Sequence, residues 1–182
     1  FMPLCYGGGV NSLETAEQVI KAGIEKVSIN TAQTDEAEMR KISEKFGAQS
    51  VVASVDVKQN WMKKQAVYGK AGSKKIAPDV VEWCQHLEKI GFGEILLTSV
   101  DKEGTMSGYD LDLINSVSKN TTIPVIANGG AGELSHFNNA LKSGASAVAA
   151  GSMFVYHGPF KAVLINYPTQ DQLINEVWNL QE

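Results

Sequence analysis

Cysteine and histidine are scarce in this 182-residue chain, and no stretch of it stays apolar for long. No run approaches the roughly 20 apolar residues that span a bilayer, and no secretory signal pattern opens the chain, so no membrane partner is expected. The two cysteines, Cys5 and Cys84, fall in an expected strand and an expected helix, without metal-ligand spacing. A thiol-reduced, cytoplasmic setting fits them. The three histidines, His86, His136 and His157, are not paired at ligand spacing, so no metal site is expected; His86 and His136 fall on helices and read as surface residues. Net charge is −4, which argues against general nucleic-acid binding. Hydrophobic residues make up 43% and charged ones 20%, an ordinary balance for a globular chain in the one-domain size range.

One absence is local. Between Val57 and Pro78 there is no acidic residue, while six lysines (58, 63, 64, 70, 74 and 75) crowd the segment. A cationic loop on an otherwise acidic body suits an anionic small ligand. A solvated surface hairpin is the plainer reading of the same charges. Trp61 and Tyr68 in this loop either close over a ligand or pack the hairpin, since loops of this length tend to be functional or disordered.

What the chain does contain is a repeat at a constant offset of 121 residues. Pro3-Leu-Cys-Tyr-Gly-Gly-Gly9 leads to a helical pattern, Gly23 and Val27-Ser-Ile-Asn-Thr31. Pro124-Val-Ile-Ala-Asn-Gly-Gly130 leads to another helical pattern, Gly144 and Val148-Ala-Ala-Gly-Ser152. Each copy reads as strand, Gly-rich turn, helix, strand, then a small hydroxyl residue. Glycine lets the main chain approach an anion, and amides and hydroxyls donate to it. The copies therefore read as two phosphate cradles, and the expected ligand carries a phosphate at each end. Gly9, Asn30 and Thr31 form the first cradle; Gly130, Gly151 and Ser152, with Gly104 from the preceding turn, form the second.

Around the cradles, short apolar runs at Met2–Tyr6, Lys26–Ile29, Ser50–Val55, Glu94–Thr98, Ile123–Ala127 and Ala147–Ala150 read as buried parallel strands. Ser12 or Asn11, Thr34, Asp79 with Glu82, and Thr169 with Gln172 mark helix starts. Glycines 23, 47, 91 and 144 mark helix ends. The class is α/β with a parallel sheet. An open doubly wound sheet normally carries one Gly-rich phosphate turn, whereas a (β/α)8 barrel accommodates two related by half a turn. Four βα units per 121 residues imply a whole of about 240, near the barrel norm of roughly 250. The expectation is a single barrel domain, incomplete at about six βα units, with two more (roughly 60–70 residues) preceding Phe1. An opening Phe instead of Met agrees with a missing beginning. Six units leave two bare sheet edges, covered by the missing part or by another chain.

Gly7-Gly-Gly-Val10, Lys26-Val-Ser-Ile-Asn-Thr-Ala32, Glu94-Ile-Leu-Leu-Thr-Ser-Val-Asp101, Gly104-Thr-Met-Ser-Gly-Tyr-Asp110 and Asn128-Gly-Gly-Ala-Gly132 make the whole chain similar to the cyclase subunit of imidazole glycerol phosphate synthase. The Glu94–Asp110 block separates it from the related phosphoribosyl isomerase. The resemblance implies a (β/α)8 barrel that takes ammonia from a glutaminase subunit in a heterodimer. It would convert a bisphosphorylated ribonucleotide into imidazole glycerol phosphate and an aminoimidazole carboxamide ribotide. No metal or organic cofactor is implied, because carboxylates can carry the proton transfers. Phe1-Met-Pro-Leu-Cys-Tyr-Gly7, Gly151–Pro159 and Val163–Pro168 are also similar to cyclase-like proteins of surface-polysaccharide clusters, which are thought to help an amidotransferase make acetamidino sugars. A non-catalytic docking fragment is the third reading.

Asp56 ends the run Val51–Val55, at the carboxyl mouth where barrel enzymes keep acids and bases; spacing alone also permits a loop carboxylate or helix cap. The resemblance makes Asp56 one of two catalytic aspartates, its partner lying on the missing first strand. Thr98 matches a polar residue near the family's substrate, or fills the strand as a β-branched residue. Asp101 opens a turn and reads as a residue that holds the loop. Glu103 stands where family members commonly have Asp. The glutaminase is expected on the face opposite the catalytic mouth.

Overall fold

The computed structural model describes residues 2–31, 35–69, 73–158 and 160–178. Helices start where side-chain oxygens meet the first unpaired amides. Ser12 is the cap of α1 (Leu13–Lys21), accepting from the Thr15 amide at 3.3 Å. Thr34 lies outside the described residues; Asp35 caps α2 (Glu36–Phe46), accepting from the Ala37 amide at 2.8 Å. Asp79 caps α3 (Val80–Ile90) through the Glu82 amide, and Asp110 caps α4 (Leu111–Ser118) through Leu113. Next come α5 (Leu134–Lys142) and the single turn α6 (Ser152–Val155). Thr169 and Gln172 form a full capping box at α7 (Gln170–Leu173), which runs into a π-type turn at Ile174–Trp178. At Gly91 the backbone turns left-handed, φ 110°, as a helix-ending glycine permits.

The strands are β1 (Cys5–Gly7), β2 (Lys26–Asn30), β3 (Val51–Gln59), β4 (Gln65–Gly69), β5 (Lys74–Ala77), β6 (Glu94–Ser99), β7 (Val125–Asn128) and β8 (Ala147–Val148). A two-stranded ribbon, β9 (Tyr156–His157) with β10 (Ala162–Val163), lies apart from them. Parallel pairing runs β1-β2-β3-β6-β7-β8, so spatial order follows chain order without reversal. The helices α1 to α5 also pack each on the next. A doubly wound sheet would reverse direction and divide its helices between two faces. This one does neither.

The lysine-rich segment contains an element that the strand reading left out. β3 continues three residues past Asp56 and folds back through β4 and β5 as an antiparallel meander. The hairpin reading of that segment is the observed one. Lys70 lies outside the described residues.

The expectation of strands buried on both faces needs correcting. Val27, Ile29, Val55, Val57, Ile95 and Leu97 are buried beneath the helices, with Met39, Ile42, Leu87 and Phe92 in the same core. Residues between them on the strands, among them Ser28, Asn30, Ser54, Asp56 and Thr98, are only half-buried. One face is thus a dry core and the other a polar surface, the period-2 division of a pleated strand. Cys84 sits in the dry core, and burial pushes its thiol up to about 12, which leaves it inert. The first expected strand is shortened: Met2–Leu4 precede it, with the Leu4 carbonyl accepting from the Glu25 and Lys26 amides, and β1 is exposed along its whole length.

Candidate functional site

The half-exposed face carries a row of polar side chains at the carboxyl ends of the strands. Strand register pairs Asp56 on β3 with Thr98 on β6, and Thr98 with Asn128 on β7. Asn30 at the end of β2 donates from Nδ2 to Asp56 Oδ2 at 3.2 Å. Asn128 donates from Nδ2 to Thr98 Oγ1 at 3.1 Å. With its oxygen already accepting from Asn128, the Thr98 hydroxyl proton is left to point elsewhere. Burial raises the pKa of the Asp56 carboxyl, and the Asn30 hydrogen bond opposes the shift without cancelling it. A carboxyl whose pKa is raised holds its proton more readily than an exposed aspartate does, which suits a group that both gives and takes one.

Asp56 and Thr98, both named from the sequence, therefore come together as register partners. Asn128 was missed as a side chain: it opens an Asn-Gly-Gly run, which reads as turn chemistry. The available signal was alternation, which places it on the same face as Ile126, opposite the buried Val125 and Ala127. Lys26 and Glu94 were missed too. They form an ion pair across β3, near the amino ends of the strands.

Gly104, Gly130, Gly151 and Ser152 line one small niche, joined by Asn128 and Glu103. The amides of Gly130, Gly151 and Ser152 donate to no acceptor among the described residues. Tight loop packing builds this niche. Gly130 has φ 105°, and a Cβ there would sit 2.2 Å from the Gly108 carbonyl; the Gly108 amide donates to the Gly130 carbonyl at 2.8 Å. Tyr109 donates its hydroxyl to the Ala149 carbonyl at 2.9 Å and ties the same loop to the turn after β8. Burial, and then the nearby Glu103 carboxylate, raise that phenol's pKa. His136 is not the surface residue expected: its Nδ1 accepts from the Gly132 amide at 3.1 Å, beneath the same turn.

The first cradle is placed differently from the second. Gly9 is exposed at a left-handed φ of 78° and follows β1. Asn30 turns its amide to Asp56. Thr31 is buried, donating its hydroxyl to the Ser54 carbonyl at 3.1 Å and accepting from the Trp83 indole at 3.2 Å. That hydroxyl belongs to the packing between β2, β3 and α3, whereas Ser152 lines its niche. Asp101 holds its loop, accepting from the Gln59 amide at 2.6 Å. Among the described residues, no group of three or more His, Cys, Asp or Glu side chains is placed to hold a metal, and no helix is long and apolar enough to cross a membrane.

Together these features define an α/β protein whose parallel sheet winds one way and gathers an acid, a hydroxyl, two amides and a glycine niche at its strand ends. The sequence model of the family described as Histidine biosynthesis protein matches residues 1–161. A Pseudomonas aeruginosa protein provisionally named imidazole glycerol phosphate synthase subunit hisF2 is 45% identical over 175 residues, 95% of this chain and 70% of the relative. Imidazole glycerol phosphate synthase subunit HisF of Endomicrobium trichonymphae is 43% identical over 157 residues, 86% of this chain and 60% of the relative. Its counterpart in Pyrobaculum aerophilum is 45% identical over 154 residues, covering 84% and 60%. The chain belongs to the histidine biosynthesis protein family. It spans 60–70% of the length of these relatives.

Proposed function

We propose that this chain is the greater part of a cyclase subunit of imidazole glycerol phosphate synthase, a (β/α)8 barrel of which it carries about six βα units in one domain. Strand order that follows chain order, with helices packed in succession, supports the barrel. The reaction uses ammonia, supplied by a glutaminase subunit, to convert a bisphosphorylated ribonucleotide into imidazole glycerol phosphate and an aminoimidazole carboxamide ribotide. Asp56 serves as general acid or base during ring closure and cleavage, and Thr98 orients the ligand beside it. The observation that carries this reading is the Asp56 carboxyl, raised by burial, set in register with Thr98 and held by Asn30.

Gly104, Gly130, Gly151 and Ser152 seat one phosphate through amides and a hydroxyl. The turn at Gly9, beside the end of β2 at Asn30, seats the other; the Thr31 amide is spent within the sheet, donating to the Ser54 carbonyl at 3.2 Å. The glutaminase docks at the amino ends of the strands, the side where Lys26 and Glu94 pair. These proton transfers require no metal or organic cofactor. The relatives reported above carry the synthase name, which favours this reading over the acetamidino-sugar branch and over a docking fragment.

The test is ammonia-dependent turnover of the bisphosphorylated ribonucleotide by the protein completed with its first two βα units. Asp56→Asn should lower turnover by about 10²–10⁴-fold, the usual contribution of a positioned acid or base, with an unchanged circular dichroism spectrum. Near-normal turnover in that variant removes the proposed role.

A further inference from the structure

The row containing Asp56 does not stop at the parallel sheet. Register continues from Asp56 to Tyr68 on β4, and from Tyr68 to Lys75 on β5. Asn128, Thr98, Asp56, Tyr68 and Lys75 therefore share one face across five strands. Val67 and Ala77, on the opposite side of the meander, join the dry core instead. A register shift at Val67/Tyr68 inserts one extra residue in β5, which keeps Lys75 on the polar face while Ala77 stays on the apolar one. Strands lie about 4.8 Å apart, so the backbone of Lys75 is about 10 Å from that of Asp56, within reach of a lysine side chain spanning part of the gap.

On this side of the meander is a cavity of about 470 Å³, lined by Lys64, Ala66, Tyr68, Lys75 and Pro78 with Asn60 and Gln65. Lys58 pairs in register with Ala66 and so lies on the same face. None of Lys58, Lys64 or Lys75 forms an ion pair with a carboxylate among the described residues. The segment Val57–Pro78 contributes no acid, and the Asp110 carboxylate beside the lining is held by Gln65 Nε2 at 2.8 Å. Around the aromatic wall, lysine offers charge and donors to an oxyanion, and tyrosine a flat apolar surface and a hydroxyl.

We propose that the inner side of this hairpin is a binding site for a phosphate monoester of a small molecule, gripped by Lys64 and Lys75 against Tyr68 and separate from the glycine niche at Gly130 and Ser152. The site rests on the hairpin alone and stands whether or not the chain is a cyclase. Its position, one strand from Asp56, makes it a landing point for anions on the way to the strand ends.

Titration of the ¹⁵N-labelled protein, completed with its first two βα units, with inorganic phosphate and then with ribose 5-phosphate tests it. Saturable amide shifts should appear in residues 60–69 and 73–78, and should weaken as salt is added. Lys64→Ala with Lys75→Ala should raise the dissociation constant read from those residues by at least about tenfold, the value of a charge-assisted hydrogen bond. Lys64→Arg with Lys75→Arg should retain binding, which separates lost charge from lost structure. Any shifts at Gly130 and Ser152 should be unaffected by either pair. Absence of hairpin shifts, or hairpin shifts undiminished in the alanine pair, overturns the proposal. Absence of shifts at Gly130 and Ser152 alone bears instead on the phosphate seat of the cyclase reading.

Discussion

At the scale of single residues, Asp56 is kept at a cost to the fold. Burial raises its carboxyl pKa, with the Asn30 hydrogen bond only partly opposing it. A carboxyl whose folded pKa lies above its unfolded value binds protons more tightly in the folded state. Its contribution to stability is therefore fully present below the unfolded pKa and is lost as pH rises through the folded one. Asp56→Asn removes the ionisation and leaves an oxygen that can still accept from Asn30. The variant should unfold at a higher temperature than the parent at pH 7, and the gap should close as pH falls below about 4, the ordinary aspartate range. Thermal melts of both proteins across that range check the sign. A variant less stable than the parent at pH 7 would mean that the Asn30 bond outweighs the desolvation. Asp56 was legible in the sequence because an acid ending an apolar run is conspicuous. Asn30 and Asn128 were not legible as its setting, because their roles depend on which strand lies beside which.

At the scale of elements, the glycine turn after β7 is fixed by its neighbour. The backbone at Gly130 is left-handed, and an added Cβ would meet the Gly108 carbonyl at 2.2 Å. Neither atom belongs to a flexible side chain, so Gly130→Ala must displace one loop from the other. The expected loss is about 2–4 kcal/mol, combining strain at an unfavourable φ with overpacking. Urea denaturation measures it, and a loss below about 1 kcal/mol would mean that the two loops separate easily. The sequence showed two alike turns at an offset of 121, and both turns follow strands as expected. It could not show that Thr31 and Ser152, matched in spacing, differ in surroundings. Thr31 meets Trp83, which comes from a helix 52 positions further along, and takes up a place in the packing. Helix caps were read well because they are local: Ser12 and Asp79 act on amides three residues ahead. The β4–β5 meander was legible only as a charged hairpin, since its alternation is obscured by the extra residue in β5.

At the scale of the whole molecule, the strand order ends at β1 and β8, and the surface near both ends is apolar. Tyr6 on β1, and Met2 and Leu4 just before it, are exposed. Beyond β8, Phe160 is 94% exposed and Ile165 69%, with Val163, Leu164 and Tyr167 also open. An unpaired edge strand presents amides and carbonyls to any other chain, and a contiguous apolar patch beside it supplies the driving force for pairing. Each end of the strand order is thus accompanied by an apolar surface on the described residues. Prolines 3, 159 and 168 and Lys161 stand at the margins of these surfaces in the sequence, but no lysine or proline falls within Cys5–Gly7 or Ala162–Tyr167. The 182-residue chain by itself should therefore self-associate. Sedimentation equilibrium over a hundredfold range of concentration should show an apparent mass rising well above 19.6 kDa. Tyr6→Lys together with Leu164→Lys places one charge on each surface and should return the mass toward the monomer, because burying an unpaired ammonium in a new interface costs more than the apolar contact returns. A chain that stays monomeric throughout would mean that its edges are already protected by their own twist and side chains. Association that persists in the double variant would move the contact elsewhere on the surface, to the hairpin or the outer helices.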